Sequence, residues 1–169
     1  MPRNTDLTKY GEMRMVGEYI AHAYPNSISW TRLRLGSLIP DGPRPGLTAQ
    51  ERAMLGVFRR WADAVVVTDT ELIIIEGSLR SDTGDPSKLV LYGRLVPHTP
   101  DLKPYLGRRL VLELVAVIED PAVSKYAREL GIRTKTFTPE WWPLYLAQLH
   151  RRERRPPQVR GLEVDTGAP

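Results

Sequence analysis

Residues 61–80 read WADAVVVTDTELIIIEGSLR. Two apolar, β-branched runs flank the polar turn Thr68-Asp69-Thr70, the pattern of a hairpin. A two-residue turn at Asp69-Thr70 pairs Thr68 with Glu71, and a four-residue loop pairs Val67 with Leu72. Either one sets Asp63 directly across from Glu76, with Cβ atoms roughly 5 Å apart on one face. A three-residue loop would send the two carboxylates to opposite faces unless a bulge corrected it. In the first register Asp63 and Glu76 share their face with Val65, Val67, Leu72 and Ile74. Ala64, Val66, Ile73 and Ile75 form the other. Both faces are apolar, as in central strands covered by helices on either side.

Two like charges on such a surface repel, and partial burial raises their cost. A proton, an arginine or a cation must offset them. Carboxylates are hard-oxygen ligands of Mg²⁺ and Mn²⁺, so a divalent ion between the pair would turn the conflict into a binding site. We expect the pair on the sheet surface nearest the first helix. That helix spans 6–24, with Met13, Val16, Tyr19, Ile20 and Ala23 as its apolar stripe. At about 100° per residue Glu12 falls close to Val16, toward the sheet, and Glu18 falls toward solvent. Glu12 is thus a third acid for the site, or a boundary residue bonded to Arg32 or Arg34.

Outward from the hairpin the chain alternates. A strand is expected over 27–38, a Pro/Gly loop over 39–46 and a capping box at Thr48 and Glu51 ahead of a short helix over 49–61. A helix over 85–96 takes Asp85 as N-cap and Pro86 at its first position. A loop over 98–107, a strand over 108–119, a helix over 121–130 stopped by Gly131 and a strand over 132–138 follow. Residues 139–150 read as a terminal helix or turn, and 151–169 as a basic, flexible tail. The order gives a mixed α/β (α+β) fold, one domain over 1–150 with helices on both sides of a central sheet.

The 169 residues carry no cysteine, which excludes disulfides and thiolate metal sites. His22, His98 and His150 show no ligand spacing. The first residues lack an apolar signal core, and no apolar run approaches the roughly 20 residues of a spanning helix. The expectation is a soluble cytoplasmic protein without membrane partners. Net charge is +4, and 19 of the 24 basic residues are arginine, which bonds phosphate bidentately. A thermophilic or GC-rich source would enrich arginine equally. Neither a P-loop nor a GxGxxG motif occurs. Trp141, Trp142 and Tyr145 either stack on bases or close a core edge or an oligomer contact, and the cluster RRERRPP (151–157) either binds phosphates or solvates the terminus.

An acid on the first helix, an Asp opening the second strand and a tripeptide in the E-x-K position ending the third resemble the PD-(D/E)XK nuclease superfamily of restriction endonucleases and RecB-type nucleases. The pattern here is Glu12, Ala62-Asp63 and Glu76-Gly77-Ser78, within roughly residues 6–138, and SKLVLYGRLVPHTPDL looks like the helix after the E-x-K strand in phage-encoded members. The resemblance implies a restriction-endonuclease-like core and Mg²⁺- or Mn²⁺-dependent cleavage of DNA phosphodiesters. It implies metal ligation by Asp63, Glu76 and the Gly77 carbonyl, with Glu12 binding or orienting a second ion or water. Arg32, Arg34, Arg80 and Lys88 would engage the DNA backbone. Ser78 departs from the family, which has Lys there. Arg80, two residues on, and Lys88, in the first turn of the following helix, are the nearby substitutes. Because of Ser78 a rival stands beside the nuclease: an inactive nuclease fold serving as a phage structural or head-completion component or as a DNA-binding subunit, in the host cytoplasm or the virion. A plain interaction module using the aromatic C-terminal segment, alone or as a homo-oligomer, is the third class.

Overall fold

The computed structural model describes residues 4–36, Thr48 and 60–153. The expected capping box, the loop over 39–46, most of the short helix over 49–61 and the tail from 154 onward lie outside the described residues. The last two residues of that expected helix, Arg60 and Trp61, are strand instead. The chain divides into two compact units, Met1–Pro139 and Glu140–Pro169.

The first unit is a five-stranded mixed sheet flanked by helices, in the order α1 (Asn4–Ala23), β1 (Ile28–Leu35), β2 (Arg60–Val67), β3 (Glu71–Arg80), α2 (Asp85–Leu95), β4 (Arg109–Ile118), α3 (Pro121–Glu129) and β5 (Arg133–Thr136). The strands lie in sequence order. β1, β2 and β3 are antiparallel neighbours, and β4 and β5 are added in parallel through the crossover helices α2 and α3. The segment expected as a loop over 98–107 is largely two 3₁₀ turns, Val96–His98 and Pro100–Tyr105. In the second unit a helix α4 (Trp142–Glu153) starts with Pro143 in its first turn and runs past the expected end at 150. There Trp142 stacks on Tyr145 at 5.5 Å between ring centres, and Trp141 meets Tyr145 edge-on at 5.8 Å.

The hairpin turn is the two-residue one. The Thr68 amide donates to the Glu71 carbonyl at 3.0 Å, and the Thr68 hydroxyl accepts the Glu71 amide at 3.0 Å. The ladder then runs from Val67↔Leu72 to Ala64↔Ile75 and stops. Val65, Val67, Leu72 and Ile74 are buried in one core with Leu89 and Tyr92 of α2 and Leu114 of β4. α1 covers the opposite face. Its buried stripe is Met15, Val16, Tyr19 and Ile20, while Met13 and Ala23, expected in that stripe, are exposed. The stripe is one step round the helix from the expected one, since methionine at 13 and at 15 gives the pattern two ways to be satisfied.

Gly77 marks where α1 approaches β3. A methyl group there would overlap Val16 Cγ2 and lie 3.3 Å from Met15 Cε. Gly77→Ala should therefore destabilise the protein through overpacking by about 1–3 kcal/mol. A urea titration checks it, as a lower midpoint at unchanged slope.

Below Glu76 and Gly77 the α1 face also buries a charge. Glu113, at 0% exposure, accepts hydrogen bonds from Tyr19 (2.8 Å), Tyr24 (3.0 Å) and Arg133 (3.2 Å). Arg133 also pairs with Glu71, which is paired with Arg109 in turn. This network ties α1, β3, β4 and β5 together, and each oxygen of Glu113 is satisfied as a buried charge requires.

Candidate functional site

The β2 ladder ends one pair before Asp63 and Glu76, yet β3 continues to Arg80. Two carboxylates occupy the strand edge that β2 leaves. The Gly77 amide donates to Asp63 Oδ2 at 3.0 Å, and the Leu79 amide lies near enough to the Glu12 carboxylate to favour its charged form. Residues 77 and 79 direct their amides to the same side of a strand. Asp63 from β2 and Glu12 from α1 thus stand in line along one edge of β3, in place of a further length of neighbouring strand. Glu12 is inward as expected, beside the Leu79 amide. Glu18 pairs with Arg14 at 2.8 Å on the outer side.

Glu76 projects from the same stretch toward α2. The expectation that the acid pair sits on the surface nearest α1 is therefore corrected. The residue that faces α1 is Gly77, and the alternation along β3 sends Glu76 the other way. Both faces of the hairpin are apolar, so composition held no bias between them. Glu76 Oε1 accepts Lys88 Nζ at 3.0 Å, and Lys88 also donates to Asp85 Oδ1 at 2.9 Å. Asp85 is 1% exposed. Its other oxygen accepts the Ser78 hydroxyl at 2.7 Å and the Asp82 amide at 2.8 Å.

Asp85 is a second correction and the residue that sequence reasoning missed. It was expected as the N-cap of α2, but Gly84 holds that position and Asp85 lies in the first turn. An Asp before Pro-x-Lys reads as a cap by habit. The signal for its real place is the three-residue spacing from Asp85 to Lys88, which puts both side chains on one side of the helix start. Ser78 and Lys88, separated by ten positions, meet through it. Of the arginines expected at a nucleic-acid interface, Arg32 and Arg34 stand on the edge strand β1, with both guanidinium groups over the Trp61 ring. Arg80 is exposed at the end of β3, and Lys88, half-exposed, is paired with two acids of the cluster.

Burial, and next the charge of Asp63, push the Glu76 carboxyl up to about 7. Burial also raises Asp63, against the pull of the Gly77 amide, and raises Glu12, against that of Leu79. Burial opposes the charge on Lys88, but Asp85 and Glu76 together outweigh it and hold the ammonium well above the ordinary lysine range. Burial and then the charges of Glu76 and Asp63 lift the neighbouring Tyr92 phenol to about 12. The cluster is thus rich in negative charge that the chain only partly offsets.

These shifts set the pH dependence of stability. An acid whose folded pKa lies above its unfolded value holds its proton more tightly when folded. The contribution of Glu76 is therefore complete below its ordinary 4.5 and is lost as pH rises through about 7. Glu12 and Asp63 act in the same direction. The metal-free protein should lose stability across that window, and Glu76→Gln should flatten the loss. Urea midpoints on either side of neutrality measure it. Glu71 and Glu119, whose pKa values are lowered, act at more acid pH and leave this window to the cluster.

The chemistry of the donor set suits a divalent cation. Glu76 Oε2 is buried and has no hydrogen-bond partner among the described residues. The carbonyl of Gly77 leaves β3 on the same side as its amide, the side of Asp63. Among the described residues no three His, Asp or Glu side chains already form a metal cage. An ion would accordingly be held by Asp63 and Glu76, with main-chain oxygen and water completing its shell, as Mg²⁺ prefers. No helix among the described residues is long and apolar enough to cross a membrane.

No family model and no curated protein matches the chain. Among solved structures it is similar to the crystal structure of a protein of unknown function, at a TM-score of 0.42 and 13% identity, over 91% of this chain and 73% of that one. A likeness at that level carries no argument about what the chain does.

Proposed function

We propose that this protein is a metal-dependent nuclease of the PD-(D/E)XK type, hydrolysing DNA phosphodiesters with Mg²⁺ or Mn²⁺, and that Lys88 supplies the cation missing at Ser78. The observation that carries this is the placement of the Lys88 ammonium on Glu76 Oε1 while Glu76 Oε2 is left without a partner. A lysine at 78 would project from the same face of β3 as Glu76. Lys88 reaches that place from the next helix instead, and Asp85, fixed by the Ser78 hydroxyl, holds it there.

The roles follow from the geometry. Asp63 and Glu76 hold the ion, with Gly77 supporting Asp63 through its amide. A bound Mg²⁺ or Mn²⁺ supplies Lewis acidity and lowers the pKa of its water. Glu12, beside Asp63 on the strand edge, orients water. Lys88, held protonated, stabilises the charge that builds on the phosphoryl oxygens. Ser78 and Asp85 position Lys88 and need not touch substrate.

One observation favours the rival. Lys88 is paired with two carboxylates, which is also how a retired site would neutralise its acids. That chain would be a nuclease-fold DNA-binding or phage structural component. Cleavage assays on plasmid and single-stranded DNA test the proposal. Mn²⁺ or Mg²⁺ should support cleavage and EDTA should abolish it, whereas absence of cleavage with every divalent ion would favour the rival.

A further inference from the structure

Trp61 has no role in the site described above. It lies on β2 two residues before Asp63, with 44% of its surface exposed. Arg34 is its direct partner in the β1–β2 register. The Arg34 guanidinium lies 4.6 Å from the centre of the indole ring, and that of Arg32 lies 5.3 Å from it. Among the described strands β1 is the first of the sheet, so the cluster stands at its border. Arg32 has φ 55, in the left-handed region that a residue with a side chain rarely adopts. The β1–β2 pairing skips it and Asp63 together, between Thr31↔Ala64 and Leu33↔Ala62. The same local break thus turns Arg32 out of the regular ladder and frees Asp63 from it.

We propose that Trp61, with Arg32 and Arg34, is a stacking platform for an unpaired nucleotide of the strand cut at the acid cluster. The proposal rests on the nuclease reading for the position of the cut, and on the platform itself for the class of ligand. An indole presents a flat apolar face, and guanidinium planes stack on bases while bonding phosphate. An indole with guanidinium groups over it offers a base an aromatic or a guanidinium plane to stack on and a phosphate two cations to bond. An acidic peptide would supply charge without rings to stack. A base inside a duplex is covered on both faces by its neighbours, so the ring selects a base that is unstacked. Deoxyribose and ribose strands share this chemistry.

Fluorescence anisotropy of the full chain tests it, in EDTA so that no strand is cut. The probes are a labelled single-stranded DNA, an RNA of the same sequence and the duplex DNA. Trp61→Ala should weaken binding of a single strand by about tenfold or more, the size of one lost stacking contact. Trp61→Phe should bind within about threefold of wild type, and the duplex should change by less than about threefold. The tighter of the DNA and RNA arms identifies the natural strand. Arg34→Ala should reduce the salt slope on single strands by about 0.7, the release of one phosphate contact. Single-strand binding by Trp61→Ala within about threefold of wild type would overturn the proposal. So would an equal loss on single strand and duplex, or, if Trp61→Ala does not fold, an unchanged salt slope for Arg34→Ala. Should Trp61→Ala lose single-strand binding while wild type cuts nothing with any divalent ion, the platform stands and the nuclease assignment falls.

Discussion

Lys88→Ala should lower Mn²⁺-supported cleavage by about 10²–10³, the usual loss for one preorganised group that stabilises transition-state charge. The side chain is half exposed, and its two carboxylate partners are buried. Its loss strips the buried Glu76 and Asp85 of their cation, so a loss of stability should accompany the loss of activity, and the two are read separately. Ser78→Lys in the Lys88→Ala background should recover about tenfold or more. Position 78 is buried on the face of Glu76, and its present hydroxyl already reaches Asp85 at 2.7 Å. A lysine there starts from the strand position next but one to Glu76, within reach of the same two acids. Recovery of the single-turnover rate beyond any recovery of the thermal midpoint would separate a catalytic ammonium from a structural one, because a lysine at 78 can also neutralise the two buried acids. Single-turnover rates and thermal midpoints of the three variants decide this. No loss in Lys88→Ala would contradict the role given to Lys88.

Asp63→Asn and Glu76→Gln should each abolish metal-dependent cleavage while leaving the fold in place. A carboxamide at 63 keeps an acceptor for the Gly77 amide, so the splayed edge of β3 should persist. It removes the negative charge that holds the ion. A carboxamide at 76 removes a buried, partly unsatisfied carboxylate. The metal-free Glu76→Gln protein should therefore be at least as stable as wild type near neutrality, the stability–activity opposition expected where acids are held close for function. Gel assays of cleavage beside urea titrations measure both. Activity retained in either variant would remove that residue from the site.

The hairpin was legible because three local features agree. The strands are continuous β-branched, apolar runs, the turn is short and polar, and Thr68 can bond across it. The register follows, and with it the mixed sheet and its covering helices. Which helix covers Glu76 was not legible from the two apolar faces. Gly77 could have told, since a glycine inside a strand marks the close approach of another element, here α1. That places its neighbour Glu76 on the far side. Glu12 was found by helical phase alone, because a helix lying on a sheet has few ways to turn. Met13 and Met15 show the limit of the same method, as two similar residues two apart leave the stripe ambiguous. Asp85 escaped because capping and pairing use the same short side chain, and only the tertiary fold brings Ser78 within reach of it. Left-handed Arg32 has no local sequence signal. Its conformation follows from the break in the β1–β2 ladder, where the chain departs from the regularity that makes strands readable.

The central claim is that Asp63 and Glu76 hold a divalent ion, and calorimetric titration of the full chain with Mn²⁺ tests it most directly. Wild type should bind Mn²⁺ more tightly as pH rises through about 7, because the ion displaces the proton that burial keeps on Glu76. Asp63→Asn and Glu76→Gln should each lose that binding. Absence of Mn²⁺ binding by the wild-type protein on either side of neutrality, or binding left intact in both variants, would contradict the account.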